Sequence, residues 1–257
     1  MRARIDRLIL SAPTRESVVR SKYAVLLILS FMICSGSDVR AEVLQSSTGG
    51  GSYFLVREGA EMRIGGPQGA EVAVDLPPGA VIRRLEPSTR GWLAAGRMPS
   101  GDGTELLLLE SRDGVTDLAE VPPRGPGKYR GQPVLLMERG QLAGLIWAEG
   151  NGHRELEIWA APREGEGWGA SELIAARGPG SQMAPTAVVL DDGSWLVVWA
   201  AFDGTDDEIR WSRRVNGEWS VPARVHPDND VPDLVPTLVA IDDGAMVAWS
   251  WFDGNDY

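Results

Sequence analysis

A chain of 257 residues with a formal charge of −11 and an isoelectric point near 4.7 lacks the basic stripe that holds a phosphate backbone, which argues against nucleic-acid binding. Its 31 glycines and 17 prolines fit many tight turns better than helices, and no long helical periodicity follows the N-terminal region. The length suffices to bury a sizeable core.

Arg2, Arg4, Arg7, Arg15, Arg20 and Lys22 precede the apolar run Ala24–Ile33, and Val39-Arg40-Ala41 then offers small residues. This layout predicts a signal peptide over residues 1–41, cleaved after Ala41. The apolar run is about ten residues, short of the ~20 a spanning helix needs, so no stable membrane insertion is expected after cleavage. The expected location is exported, periplasmic or extracellular. Cys34 is the single cysteine, and Ile33 before it does not fit a lipoprotein signal, which makes lipidation through Cys34 the lesser alternative. Residues 42–52, which include the Ser- and Gly-rich Ser46–Ser52, read as a flexible lead-in.

Tyr53–Arg57, Glu61–Ile64 and Glu71–Leu76 read as two or three strands of an incomplete unit over 53–77. Val81–Leu85, Gly91–Gly96, Glu105–Glu110 and Leu118–Val121 then fill a unit over 78–132. From there the pattern sharpens. Pro133, Pro185 and Pro236 each open an apolar segment. Trp147, Trp199 and Trp249 end the second strand of successive units, Trp159 and Trp211 sit in the third, and Trp168 and Trp219 begin the fourth. The repeat is about 51 residues, and the units span 133–184, 185–235 and, as a half unit, 236–257. The clearest one runs from Pro185 to Val225: Thr186–Leu190, a turn at Asp191-Asp192-Gly193, Ser194–Phe202, a turn at Asp203–Asp207, Glu208–Arg213, the hairpin signal Asn216-Gly217, and Glu218–Val225. Four short strands per repeat predict an all-β fold, a β-propeller of four-stranded blades. The sequence stops at Tyr257, before a third strand of the last unit, so a truncated propeller is expected, six-bladed at full length.

The segment Ile209–Ser220 (Ile-Arg-Trp-Ser-Arg-Arg-Val-Asn-Gly-Glu-Trp-Ser) resembles the repeat of sialidase-like, BNR-type (Asp-box) β-propellers. Ser212, the Asn216-Gly217 turn and Trp219 match the box, while Arg214 stands where its Asp would be. The resemblance covers residues 78–257 as a blade pattern. It implies fold rather than catalysis, because in that family the box is a structural turn remote from the active site. The catalytic set that the family implies, an early Arg in an aromatic-Arg-Ile-Pro motif, two more arginines, a Tyr–Glu pair and an Asp, has no match here. Met62-Arg63-Ile64-Gly65 is a faint echo, and no catalytic residue is carried over.

In a propeller the loops joining second to third strands share a face with those joining blade to blade. Asp203, Asp206, Asp207, Asp228, Asp230, Asp253 and Asp256 are therefore the ligand-face candidates, with Asp233 beside them. Such carboxylates serve as hard-cation ligands or as a glycosidase pair, or simply cap Asp-Gly turns, and turn capping is the favoured reading. Calcium is the one cofactor considered; no metal site is assigned. His153 and His226 are expected in surface loops. Trp92, Trp195 and Trp251 stand outside the repeat and are better candidates than the repeated tryptophans for exposed, sugar-stacking surfaces. The functional expectation is an exported module that binds a carbohydrate or protein ligand. The alternative is a sialidase-like exo-glycoside hydrolase with catalytic residues partly in a missing C-terminal part.

Overall fold

The structure is a computed structural model, and it describes residues 3–9, 39–42, 54–58, 61–65, 71–152, 154–227, 229, 231–242 and 244–251. Among these no helix is long and apolar enough to cross a membrane. The first strand is β1 (Ala3–Ile9). Next come β2 (Val39–Glu42), β3 (Phe54–Glu58), β4 (Glu61–Gly65) and β5 (Glu71–Val74), paired in sequence order as one antiparallel sheet. The second meander is β6 (Val81–Ser88), β7 (Gly91–Ser100), β8 (Gly103–Arg112) and β9 (Val115–Leu118). The third is β10 (Tyr129–Glu138), β11 (Gln141–Gly150), β12 (Glu157–Glu164) and a split outer strand, β13 (Gly167–Trp168) with β14 (Glu172–Ala175). The fourth repeats this plan with β15 (Gln182–Val189), β16 (Trp195–Phe202), β17 (Asp207–Val215), β18 (Glu218–Trp219) and β19 (Ala223–Arg224). Last are β20 (Asp233–Ile241) and β21 (Gly244–Trp251).

Two differences from the sequence reading concern the start of the chain. The first sheet has four strands rather than two or three, because β2 pairs with β3. In addition, β1 runs antiparallel to β21 from Ala3 opposite Ser250 to Ile9 opposite Gly244. It takes beside β21 the place that β17 takes beside β16. Both strands begin within the stretch read as a leader.

Local chemistry explains the meanders. The β16 sequence Trp-Leu-Val-Val-Trp-Ala-Ala-Phe is apolar throughout, and all but its last residue are buried, as expected of a strand covered on both faces. Asn216 and Gly217, at φ 52° and 87°, turn the chain from β17 to β18, the left-handed pair that a two-residue hairpin loop favours. The second and third meanders join at one parallel pair, Tyr129 opposite Thr104, and the successive meanders pack face against face in chain order. Met62 and Ile64 pack with Ile82 and Leu107, Leu93 and Leu108 with Leu145 and Trp147, Ile146 and Ile158 with Val197 and Trp199, and Leu196 and Val198 with Val247 and Trp249.

The three prolines read as strand openers sit inside first strands, at β-bulges. In β10 the register steps from Gly131–Ala148 to Val134–Ile146, in β15 from Met183–Ala200 to Thr186–Val198, and in β20 from Leu234–Ser250 to Thr237–Ala248. Each bulge sets two residues against one buried tryptophan: Gln132-Pro133 against Trp147, Ala184-Pro185 against Trp199, Val235-Pro236 against Trp249. The first residue of each pair is left-handed, with φ of 52°, 51° and 51°. A bulge tolerates the proline because its missing N–H leaves no gap in the ladder.

Candidate functional site

A cleft of about 370 Å³ among the described residues lies between the first strands of four successive meanders. It opens at the end where β10, β15 and β20 begin and where β7 and β11 finish. The three bulges form part of its wall: Gln132-Pro133, Ala184-Pro185 and Val235-Pro236 all line it, together with Thr104 and Tyr129. Its size is in the usual range for a small-ligand site.

Arg83, Arg84 and Arg97 give the cleft its charge. Arg83 and Arg84 come from the bulged part of β6, where the register slips between Ile82 and Arg84, and Arg97 comes from the end of β7. Among the described residues, none of the three forms a salt bridge, and no Asp or Glu lines the cleft. Arg84 is exposed by surface area, yet protein atoms crowd it enough to lower its pKa. Glu86 opposes that effect and Arg83 adds to it. Guanidinium groups are cationic at neutral pH as a class. A patch of this sign in a chain of charge −11 concentrates field where an anion would sit.

Below the wall Arg130 is buried, 1% exposed. Its guanidinium donates to Glu105 at 2.8 Å and to the Pro122 carbonyl at 3.1 Å, lies 3.2 Å from Glu149 and stacks over Trp147 at 4.8 Å. Burial lowers its pKa, with Glu105 and Glu149 opposing. Arg130 is therefore bound up inside the fold and supports the wall rather than reaching a ligand.

The acidic candidates gather elsewhere. Asp203 accepts the Thr205 and Asp206 N–H groups through one oxygen and an Arg224 bond of 2.7 Å through the other, which is the turn-capping role. Asp206 is buried in the same turn, and Asp207 opens β17 half-buried. Desolvation raises the Asp207 pKa, and Asp203 adds to the rise. Asp228, Asp230, Asp253 and Asp256 lie outside the described residues, as does His153. None of Asp203, Asp206 and Asp207 lines the large cleft.

Beside that turn the structure brings together a set the sequence reading did not assemble. Carboxylate oxygens of Asp203, Asp206 and Glu208 lie within 4.8 Å of one another, and so do ligand atoms of Glu208, His226 and Asp233. A hard cation takes such oxygens. His226 is 7% exposed and Asp233 1%, so His226 belongs to the interior instead of a surface loop. Its Nε2 meets Asp233 Oδ2 at 2.5 Å, its Nδ1 meets the Pro227 carbonyl at 2.5 Å, and its ring stacks on Trp249. Both nitrogens are engaged, so a cation could use His226 only by displacing an oxygen.

Two of the three tryptophans that were candidates for an exposed stacking surface are interior. Trp92 is 5% exposed and packs with Met62 and Leu107. Trp195 is 7% exposed, beneath Arg214 and against Trp219. Trp251 is half-buried.

No protein-family model matches the chain, and no curated protein matches it. Solved structures do. The putative TolB from Agrobacterium tumefaciens aligns at 15% identity over 84% of this chain and 70% of that one, TM-score 0.53. An endo-arabinase from Bacteroides thetaiotaomicron aligns at 13% identity over 86% and 90%, TM-score 0.49. A thermostable family-43 glycoside hydrolase aligns at 14% identity over 74% and 76%, TM-score 0.47. These neighbours are propeller-type folds, and at such identities the likeness is one of fold alone.

Proposed function

We propose that this protein is an exported, propeller-type binding module whose axial cleft holds the anionic group of an acidic saccharide. The observation that carries the reading is the cleft lining: Arg83, Arg84 and Arg97, with no carboxylate among the described residues that line it, Glu86 acting on Arg84 from outside the lining. A cleft of about 370 Å³ suits one or two sugar rings better than the flat patch that a protein partner covers. Thr104, Tyr129 and Gln132 supply the hydroxyl and amide groups that orient sugar hydroxyls. Binding is favoured over hydrolysis because glycoside cleavage needs two carboxyl groups flanking the bond, and the carboxylates described here lie outside the cleft. Export rests on the leader-like N-terminal pattern, and the blade organisation on the repeat.

The test is calorimetric titration of the full chain with a uronic-acid oligosaccharide and with its neutral counterpart. The acidic sugar is expected to bind more tightly, with an affinity that falls as salt rises. Arg97→Ala and Arg84→Ala should each weaken it about tenfold or more, the worth of a hydrogen bond to a charged group. Equal affinity for the neutral sugar, or indifference to both substitutions, would overturn the reading.

A further inference from the structure

We infer that the backbone N–H of Val235 is a ligand-binding donor in the axial cleft, opened by the presence of alanine at position 184. This inference rests on the reading of the cleft as a saccharide site and adds the group that meets a ligand oxygen opposite the arginine wall.

The argument starts from the repeated bulge. Gln132, Ala184 and Val235 occupy the same place in three successive sheets: left-handed, followed by proline, opposite a buried tryptophan, and lining the cleft. Proline has no N–H, so each bulge carries a single donor, that of its left-handed residue. The bulge also takes that residue out of register with the partner strand. At the step from the third sheet to the fourth the donor has a partner, since Ala184 N donates to Gln132 Oε1 at 2.7 Å. The side chain at one bulge thus caps the N–H at the next.

At the following step the arrangement changes by one residue. The position equivalent to Gln132 is Ala184, whose methyl group can accept nothing, so it offers Val235 no such cap. Val235 has the same φ as Ala184, is 64% exposed and lines the same cleft. A β-branched residue held in the left-handed region is strained, and strain of this kind persists where the surroundings impose it. A carboxylate or hydroxyl oxygen of the ligand takes at Val235 the place that Gln132 Oε1 takes at Ala184.

Ala184→Gln should restore the cap, because Gln132 already shows that glutamine is accommodated at this bulge. Two readouts decide the matter. The first needs no ligand: by NMR, the Val235 amide should exchange freely in the wild-type chain and at least tenfold more slowly in Ala184→Gln, with Ala184→Met, similar in length but without the acceptor, unchanged. The second uses a glucuronate-bearing oligosaccharide. It should shift the Val235 amide resonance in the wild type, and Ala184→Gln should weaken its binding at least tenfold. A Val235 amide already protected in the unliganded wild type overturns the inference. So does an oligosaccharide that binds through Arg97 without moving the Val235 resonance, an outcome that leaves the cleft reading intact. Failure of every acidic sugar to bind removes the cleft reading and the occupant with it, while the exchange comparison still decides whether the donor is open.

Discussion

Arg130, Gln182 and Asp233 occupy one position of the repeat, two residues before the left-handed bulge residue, and all three are buried. In two cases the residue accepts the indole N–H of the tryptophan opposite: Trp199 donates to Gln182 at 2.7 Å and Trp249 to Asp233 at 2.9 Å. Arginine cannot accept. In that sheet Trp147 donates to Glu149 Oε2 at 2.9 Å instead, and the other Glu149 oxygen accepts the Gly127 N–H. Glu149 therefore answers for Trp147 and shares the Arg130 charge with Glu105. Glu149→Ala leaves the buried Arg130 with Glu105 as its remaining carboxylate and strands the Trp147 and Gly127 donors, and should destabilise the protein by about 1–3 kcal/mol in denaturant unfolding. Glu149→Gln, which keeps an acceptor, should cost less. A loss under about 1 kcal/mol for the alanine variant would show that Glu105 alone satisfies Arg130 and that the two donors find other acceptors. The tryptophan positions were legible in the sequence because their spacing is regular. Their acceptors were not, since the position that holds Gln182 and Asp233 holds Arg130 in the third meander, and Glu149 from another strand accepts there instead. The cleft arginines were equally hidden, because strand residues facing an open cleft are polar in the same way as those of an outer surface. The doublet Arg83-Arg84 inside an otherwise strand-like run was the one available signal.

At the level of the element, period-two runs and the Asn216-Gly217 turn placed most strands within a few residues of where they lie. The prolines were misplaced for a physical reason: in a flat strand a proline breaks the ladder, so it reads as a boundary, whereas here a bulge absorbs it. The fourth strand of the Pro185–Val225 unit, read as continuous, is broken between β18 and β19 around Pro222. Trp195 was misjudged because its cover comes from another sheet. Its ring lies over Gly144 of β11, where a methyl group would stand 2.3 Å from the ring and 2.9 Å from the Ala161 carbonyl oxygen. Gly144 is thus the close-approach point between the third and fourth sheets. Gly144→Ala should push Trp195 out of its seat and destabilise the protein by about 1–3 kcal/mol, the range of overpacked cores, with a change in tryptophan fluorescence. An unaltered melting temperature and emission spectrum would mean that the two sheets separate easily.

Across the whole molecule the sheets are also tied along their outer strands, and the ties use the two tryptophans that begin those strands. Trp168 donates to the Glu120 carbonyl at 2.8 Å, joining the third meander to the second. Trp219 donates to Glu172 Oε2 at 2.8 Å, joining the fourth to the third. Glu172 further holds Arg214 through two bonds of 2.9 and 2.7 Å, and Arg214 lies over Trp195. One carboxylate thus gathers the outer edge of the seam whose centre is Gly144. In a linear array, stability is a sum of unit terms and nearest-neighbour seams, so weakening one seam lowers cooperativity as well as total stability. Glu172→Ala leaves Arg214 and Trp219 without their shared acceptor and should cost about 1–3 kcal/mol. Its diagnostic effect is on the shape of the transition. Calorimetric unfolding should broaden or split, with the calorimetric enthalpy exceeding the van't Hoff value. Adding Arg214→Ala should cost less than the sum of the two single changes, because both remove the same contact. A single, equally sharp transition merely displaced in temperature would mean that the seam is set by its buried core of Ile146, Ile158, Val197 and Trp199, with the outer tie contributing only locally.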